Sequence, residues 1–142
     1  MSRPTLWALA GVAALAVAVI VFLPSSELPS RGIILIRREL AHAGAPLWLR
    51  DADLWEKLLN VALFMPLGFL GGLLRPRWPV WAWALVGLTA ALTIETVQVA
   101  MPGRDGSGWD VATNATGALL GACLARAVLS LVSSARRRSS AA

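Results

Sequence analysis

Long apolar segments alternate with short polar links along this chain. They run from Thr5 to Leu23, Leu58 to Leu74, Pro79 to Met101 and Val111 to Val132. A helix needs about 20 apolar residues to cross ~30 Å of hydrocarbon, so the second segment, the shortest, is marginal. Pro66 within it favours a kink. The pattern predicts an all-α, polytopic membrane protein built as a four-helix transmembrane bundle.

The link between the first two segments contains its own helical pattern. Ile33, Ile36 and Leu40 share one face, and Gly44 follows as a stop signal. These positions predict a short amphipathic helix over residues 30–43, lying flat in the outer membrane interface.

The sequence also predicts where the second span begins and where the helical part of the chain ends. Asp53, followed three residues later by Glu56, resembles a capping box and predicts that the second span begins there. The final stretch SSARRRSSAA is polar and basic, and it predicts a disordered tail over residues 133–142.

Composition supports one membrane domain over residues 1–142. Hydrophobic residues make up 57% of the chain, charged residues 15%, and the mean hydropathy is +0.66. The net charge of +5 comes from scattered basic residues without an aromatic-basic stripe, so we expect no nucleic-acid partner. Cys123 is the only cysteine, which excludes an internal disulfide. No metal-ligand spacing or cofactor motif is present, and we expect no metal and no cofactor.

The first apolar segment could also be a cleaved signal peptide. Its apolar stretch is longer than the usual ~7–15-residue core, and LPSSELPS offers no small-x-small cleavage site. We therefore expect it to remain as a membrane anchor.

Basic residues predict the direction of the spans. With four spans, Arg3, Arg75, Arg77 and the run Arg136 to Arg138 fall on one side, which the positive-inside rule assigns to the cytoplasm. Both termini are then cytoplasmic, and the turn PGRDGSGW lies outside. The first link also lies outside, and its arginines are accompanied there by acidic residues.

Polar side chains of three spans are predicted to meet near the outer face. Glu95 lies six residues before Met101, about 9 Å along the helix at ~1.5 Å per residue. Ionisable groups at such depth usually pair with one another or serve a site. The candidate ligand-binding residues are Lys57, Asn60, Glu95, Gln98, Arg104, Asp110 and Asn114.

Structural interpretations of the same residues remain open. Interhelical amides such as Asn60 commonly hold bundles together. Asp110 could serve mainly as the N-cap of the fourth span. Gly117 and Gly121 form a GxxxG pattern, with Gly68 as a partner position, for close packing within the bundle or in a homo-oligomer.

Several of these motifs resemble the VanZ-like family. They are KLLNVALFMPLGFLGG, then IETVQ, then GRDGSGWDVATNATGALLG, covering roughly residues 57–121. The first span and the basic tail carry no family pattern. Members are small bacterial membrane proteins, and the namesake is linked to teicoplanin resistance, so the resemblance implies a place in the bacterial cytoplasmic membrane. Many relatives have a His where Asn60 stands, which puts His-dependent chemistry in doubt here.

Three hypotheses of different class follow. The first is a cell-envelope binding protein whose outer polar layer holds a membrane lipid, a lipid-linked wall precursor or a lipoglycopeptide, with Arg104 and Lys57 contacting an anionic group. The second is an intramembrane enzyme acting on a lipid head group, with Glu95 as general base and Asp110 as second carboxylate or metal ligand. No nucleophile motif or phosphate loop supports it. The third is a scaffold whose polar layer serves stability alone.

Overall fold

The computed structural model describes residues 2–22, 27–100 and 107–139, with the side chains of 27–29 excepted. Its elements are α1 (Arg3–Phe22), α2 (Glu27–His42), a 3-10 turn (Leu47–Arg50), α3 (Ala52–Leu74), α4 (Val80–Val99) and α5 (Gly108–Ser139). The described part contains no strand. The predicted all-α architecture is therefore confirmed.

Four of the helices are long and apolar enough to cross a membrane, namely α1, α3, α4 and α5. Many of their large apolar side chains, such as Leu15 and Leu92, are exposed on the outside of the bundle. Exposed apolar side chains of this kind are favourable where the surrounding solvent is lipid, because the lipid chains are themselves apolar. The prediction of four spans with one shorter helix in the first link is confirmed.

Helix α3 begins earlier than the sequence predicts. It starts at Ala52 instead of Leu58 and has 23 residues, so it is not marginal in length. Asp51 is the N-cap, and its carboxylate accepts a hydrogen bond from Asp53 N at 3.0 Å. The capping box predicted with Asp53 as the cap is therefore wrong. An apolar count misses this first turn because it is charged, although charged residues form helix as readily as apolar ones.

Helix α5 ends later than predicted. It continues to Ser139, so residues 133–139 are helical, whereas they were predicted to be disordered. Ser133 and Ser134 donate their hydroxyl groups to Ser130 O, which satisfies a carbonyl within the helix. The arginines of the last turn also interact favourably with the helix dipole. A helix of 32 residues is about 48 Å long, so its end extends beyond the hydrocarbon.

The first link is folded onto α3. Helix α2 ends as predicted, with Gly44 at a φ of 71° closing it. Arg37 Nε then donates to Arg50 O at 2.6 Å, and Trp55 Nε1 donates to Leu49 O at 2.7 Å. These bonds connect α2, the 3-10 turn and the start of α3.

Helix α5 packs along both α3 and α4, and α1 packs on α3. The α3–α5 contact is formed by small residues at which the two backbones approach closely. A Cβ atom at Gly68 would meet the Ala118 backbone, and one at Gly121 would meet Met65 and Phe69. Such positions allow van der Waals contact between helices where lipid offers no hydrophobic driving force.

One end of the bundle is basic and aromatic. The Arg75 guanidinium lies 5.6 Å from the Trp7 ring centroid, and Trp78 and Trp83 stack with centroids 5.2 Å apart. Arg126 Nη2 donates to Trp78 O at 3.4 Å, so it too reaches this end. Interfacial tryptophan and arginine are typical of a helix end at the head groups.

Candidate functional site

A cavity of about 760 Å³ lies at the end of the bundle opposite the basic end. Residues from α1, α2, α3, α4 and α5 line it. The polar members predicted from sequence are Asn60, Glu95, Gln98, Asp110 and Asn114, and apolar members include Ile20, Leu63 and Ile94. The structure thus brings five of the seven predicted ligand-binding residues to one cavity.

Asn60 and Asp110 connect α3 to α5 at the cavity wall. Asn60 Nδ2 donates to Asp110 Oδ1 at 2.8 Å. Asp110 lies in the first turn of α5, which begins at Gly108, so it is not the N-cap of this helix; Asn60 lies about two turns after Ala52 in α3. An interhelical bond of this kind stabilises a bundle by about 1 kcal/mol in lipid. It also fixes the orientation of both side chains towards the space between the helices.

Glu95 and Gln98 bring α4 to the same cavity. The Glu95 carboxylate accepts a hydrogen bond from the backbone N of Ser107, just before α5. Gln98 Nε2 donates to Val21 O at 3.0 Å, near the end of α1. In the described part of the chain, the hydrogen-bond partner of the Glu95 carboxylate is thus a backbone N–H.

Asn114 is the one buried polar residue among those described, with 6% of its surface exposed. It lines the cavity one turn below Asp110. Its Oδ1 has no hydrogen-bond partner in the described part of the protein. Burying an acceptor without a partner costs free energy, so this atom marks a place where a donor would be favourable.

Of the two predicted cations, only Lys57 belongs to the described residues. Lys57 is not a lining residue, and its Nζ lies 4.8 Å from the centroid of the Trp109 ring in a cation–π contact. Helix α3 explains this, since at ~100° per residue Lys57 points about 100° away from Glu56 and about 160° away from Leu59, which both line the cavity. Arg104 lies outside the described residues.

Sequence reasoning missed Arg37 and Glu56, which also line the cavity. Arg37 comes from α2, whose Ile33 and Ile34 add apolar wall. The amphipathic pattern predicted α2 itself but placed it flat in the interface, and nothing in that pattern shows which bundle face it covers. Glu56 was assigned to a helix cap, although its spacing of four from Asn60 puts both on one face of α3.

The predicted packing residues Gly68, Gly117 and Gly121 all lie at the α3–α5 contact. A Cβ at Gly117 would meet Val61 of α3, as one at Gly121 would meet Met65. The partner of this face in the structure is therefore α3 of the same chain. A homo-oligomer through Gly117 and Gly121 would require displacement of α3 from this face, and oligomerisation stays a prediction.

The candidate acids do not form a cluster with a third ligand. Within residues 2–22, 27–100 and 107–139, no group of three His, Cys, Asp or Glu side chains could hold a metal ion. Glu95 and Asp110, the predicted catalytic pair, both line the cavity, and Asp110 is already hydrogen-bonded to Asn60.

Comparison with known proteins gives one match. The family model described as VanZ/LLP1 matches residues 10–130, which extends the resemblance to most of α1, where sequence motifs showed none. No curated protein and no solved structure matches the chain. The match covers most of the chain, and four helices are long enough to span a membrane. The chain is therefore a multi-pass membrane protein that belongs to the VanZ/LLP1 family.

Proposed function

We propose that the protein binds the head group of an amphiphile in the cavity, at the outer face of a bacterial cytoplasmic membrane. The observation that carries this proposal is the meeting of five polar side chains from α3, α4 and α5 in one cavity of about 760 Å³. Ligand sites typically have ~300–1,000 Å³, mostly apolar walls and a few placed polar groups.

The lining divides by chemistry in a way that suits an amphiphile. Ile20 and Val21 of α1, with Ile33 and Ile34 of α2, offer apolar surface for a chain. The amides and carboxylates of α3, α4 and α5 offer hydrogen bonds to a head group. A lipid-linked wall precursor and a lipoglycopeptide such as teicoplanin both have this two-part character. If the ligand is a glycopeptide antibiotic, the same binding would contribute to glycopeptide resistance.

The basic end of the bundle supports the proposed side of the membrane. Arg75 and Arg126 lie at the end opposite the cavity, together with the arginines that end α5. The positive-inside rule places that end in the cytoplasm, with both termini, and the cavity outside.

Cysteine labelling tests this orientation. Single cysteines at Ser107→Cys and Ser134→Cys, in a Cys123→Ser background because Cys123 is exposed, should differ on intact cells. We expect a membrane-impermeant thiol reagent to label position 107 and not position 134. Permeabilised membranes should label both and serve as the control. The reverse pattern would place the cavity in the cytoplasm and overturn the outer-face proposal.

Filling the cavity tests the binding. Ala62 lines it and is exposed there, so Ala62→Trp should occupy ligand space without disturbing the core. We expect affinity for teicoplanin or a polyprenyl-linked sugar, measured by native mass spectrometry in detergent, to fall at least about tenfold, or ~1.4 kcal/mol.

The matched control is Ala14→Trp, on an exposed face of α1 that does not line the cavity. It should leave affinity unchanged. Equal binding by both variants and the native protein would contradict a binding role for this cavity.

A catalytic function is the second candidate. It is favoured by one observation, that the two acids Glu95 and Asp110 line the same cavity. In this case Glu95 would act as general base on a lipid head group, since a carboxylate beside a bound hydroxyl can accept its proton.

A further inference from the structure

The hydrogen-bonding groups of the cavity are unevenly used. Two amide nitrogens each use one of their two N–H donors within the protein, Asn60 Nδ2 to Asp110 and Gln98 Nε2 to Val21 O. Each amide oxygen accepts through two lone pairs, and each ionised carboxylate only accepts. What these side chains can still offer a ligand is therefore weighted towards acceptors.

Formal charge points in the same direction. The described lining contains three carboxylates, Glu56, Glu95 and Asp110, against one guanidinium, Arg37. Arg37 Nε is engaged by Arg50 O at 2.6 Å. Glu95 and Asp110 are only partly exposed, and two carboxylates in surroundings of reduced dielectric constant favour a cation beside them.

Asn114 provides an independent observation. It is buried, with 6% of its surface exposed, and its Oδ1 has no partner in the described part of the protein. The side chain lines the cavity, and its terminal torsion is broad, so the amide can rotate when a ligand binds. An acceptor with no donor in the protein is satisfied if the ligand brings one.

We infer that the cavity selects an amphiphile whose head group carries a primary ammonium, as in phosphoethanolamine. This inference rests on the proposed amphiphile binding and names its class of ligand. The ammonium combines a positive charge with three N–H donors, and it lies among Asn114, Glu95 and Asp110. The phosphate of the same zwitterion lies at Arg37, whose guanidinium retains further donors.

Three lipids with the same dioleoyl chains separate the contribution of positive charge to binding from that of the N–H donors. Phosphatidylethanolamine has charge and N–H donors, phosphatidylcholine has charge without N–H donors, and phosphatidylglycerol has hydroxyl donors without positive charge. We expect phosphatidylethanolamine to bind at least fivefold more tightly than either of the others, measured by native mass spectrometry of the full chain in detergent.

Variants at Asn114 connect the preference to the cavity. Asn114→Leu removes the unpartnered acceptor, and the fivefold preference over phosphatidylcholine should disappear. Asn114→Asp keeps an acceptor and adds charge, so it should retain or increase the preference. Thr116→Val is the control on the same helix, because Thr116 is exposed and its hydroxyl donates to Ala112 O of its own helix.

The outcomes distinguish this inference from the proposed function. Equal affinity for phosphatidylethanolamine and phosphatidylcholine, or tighter phosphatidylglycerol binding, would overturn the ammonium inference and leave amphiphile binding intact. A preference that persists in Asn114→Leu would overturn the assignment to this cavity. Failure of all three lipids, teicoplanin and the polyprenyl-linked sugar to bind would overturn both proposals.

Discussion

Replacing Gly121 with alanine should destabilise the bundle by about 3 kcal/mol or more, above the usual ~1–3 kcal/mol of overpacking. A Cβ at this position would lie 2.6 Å from Phe69 N and 3.0 Å from the Met65 carbonyl carbon, both backbone atoms of α3. Backbone cannot rotate away as a flexible side chain can, so the two helices must separate.

Gly11→Ala is the matched control for this substitution. Gly11 lies within α1, and a Cβ added there would meet no atom within 4 Å, so alanine should preserve or raise stability by up to ~1 kcal/mol through its helix propensity. Both variants are compared by thermal unfolding in detergent. Equal stability of Gly121→Ala and the native protein would show that α3 and α5 are not in this close contact.

This contact also positions the cavity. Gly117 and Gly121 lie on α5 within two turns of Asn114, and Asn60 lies one residue before Val61, which Gly117 faces. The backbone approach therefore sets the register in which Asn60 Nδ2 reaches Asp110 Oδ1. A change in helix separation at Gly121 should weaken ligand binding as well as folding, because packing and site share one interface.

Hydropathy was sufficient to predict the four spans, because lipid requires long uninterrupted apolar helices. It also predicted which polar residues meet, since alternating span directions bring Glu95, Asp110 and Asn60 to one level. Helix ends were less predictable. The first residues of α3 and the last turns of α5 are charged or polar, so an apolar count stops short of both helices, although the Asp51 cap of α3 and the arginines at the end of α5 favour helix there.

The contacts of long side chains and of the first link could not be read from periodicity. Lys57 lies close to the polar residues in sequence but contacts Trp109 instead of the cavity. Arg37 lies in a different element and reaches the cavity because α2 is held by Arg50 O. Both outcomes depend on tertiary placement of a helix, which a one-dimensional pattern does not contain.

Glu95→Gln should lower the affinity for an ammonium-bearing amphiphile by roughly tenfold to a hundredfold. Glutamine keeps an oxygen that can accept the Ser107 N–H, so folding should be little affected. The lost quantity is the negative charge, and hydrogen bonds to charged groups contribute ~1.5–3 kcal/mol. Glu39→Gln is the matched control, because Glu39 is exposed on α2 and does not line the cavity, so loss of its charge should leave the affinity unchanged.

The same variant separates the classes of function, when lipid binding, lipid turnover and thermal stability are measured on one preparation. Weaker binding with unchanged stability supports a binding protein. Unchanged binding with turnover reduced about 10²–10⁴-fold supports the enzyme, because that is the usual contribution of a general base. Reduced stability with neither activity altered supports a scaffold, in which the Glu95 carboxylate serves only to hold the start of α5 through Ser107.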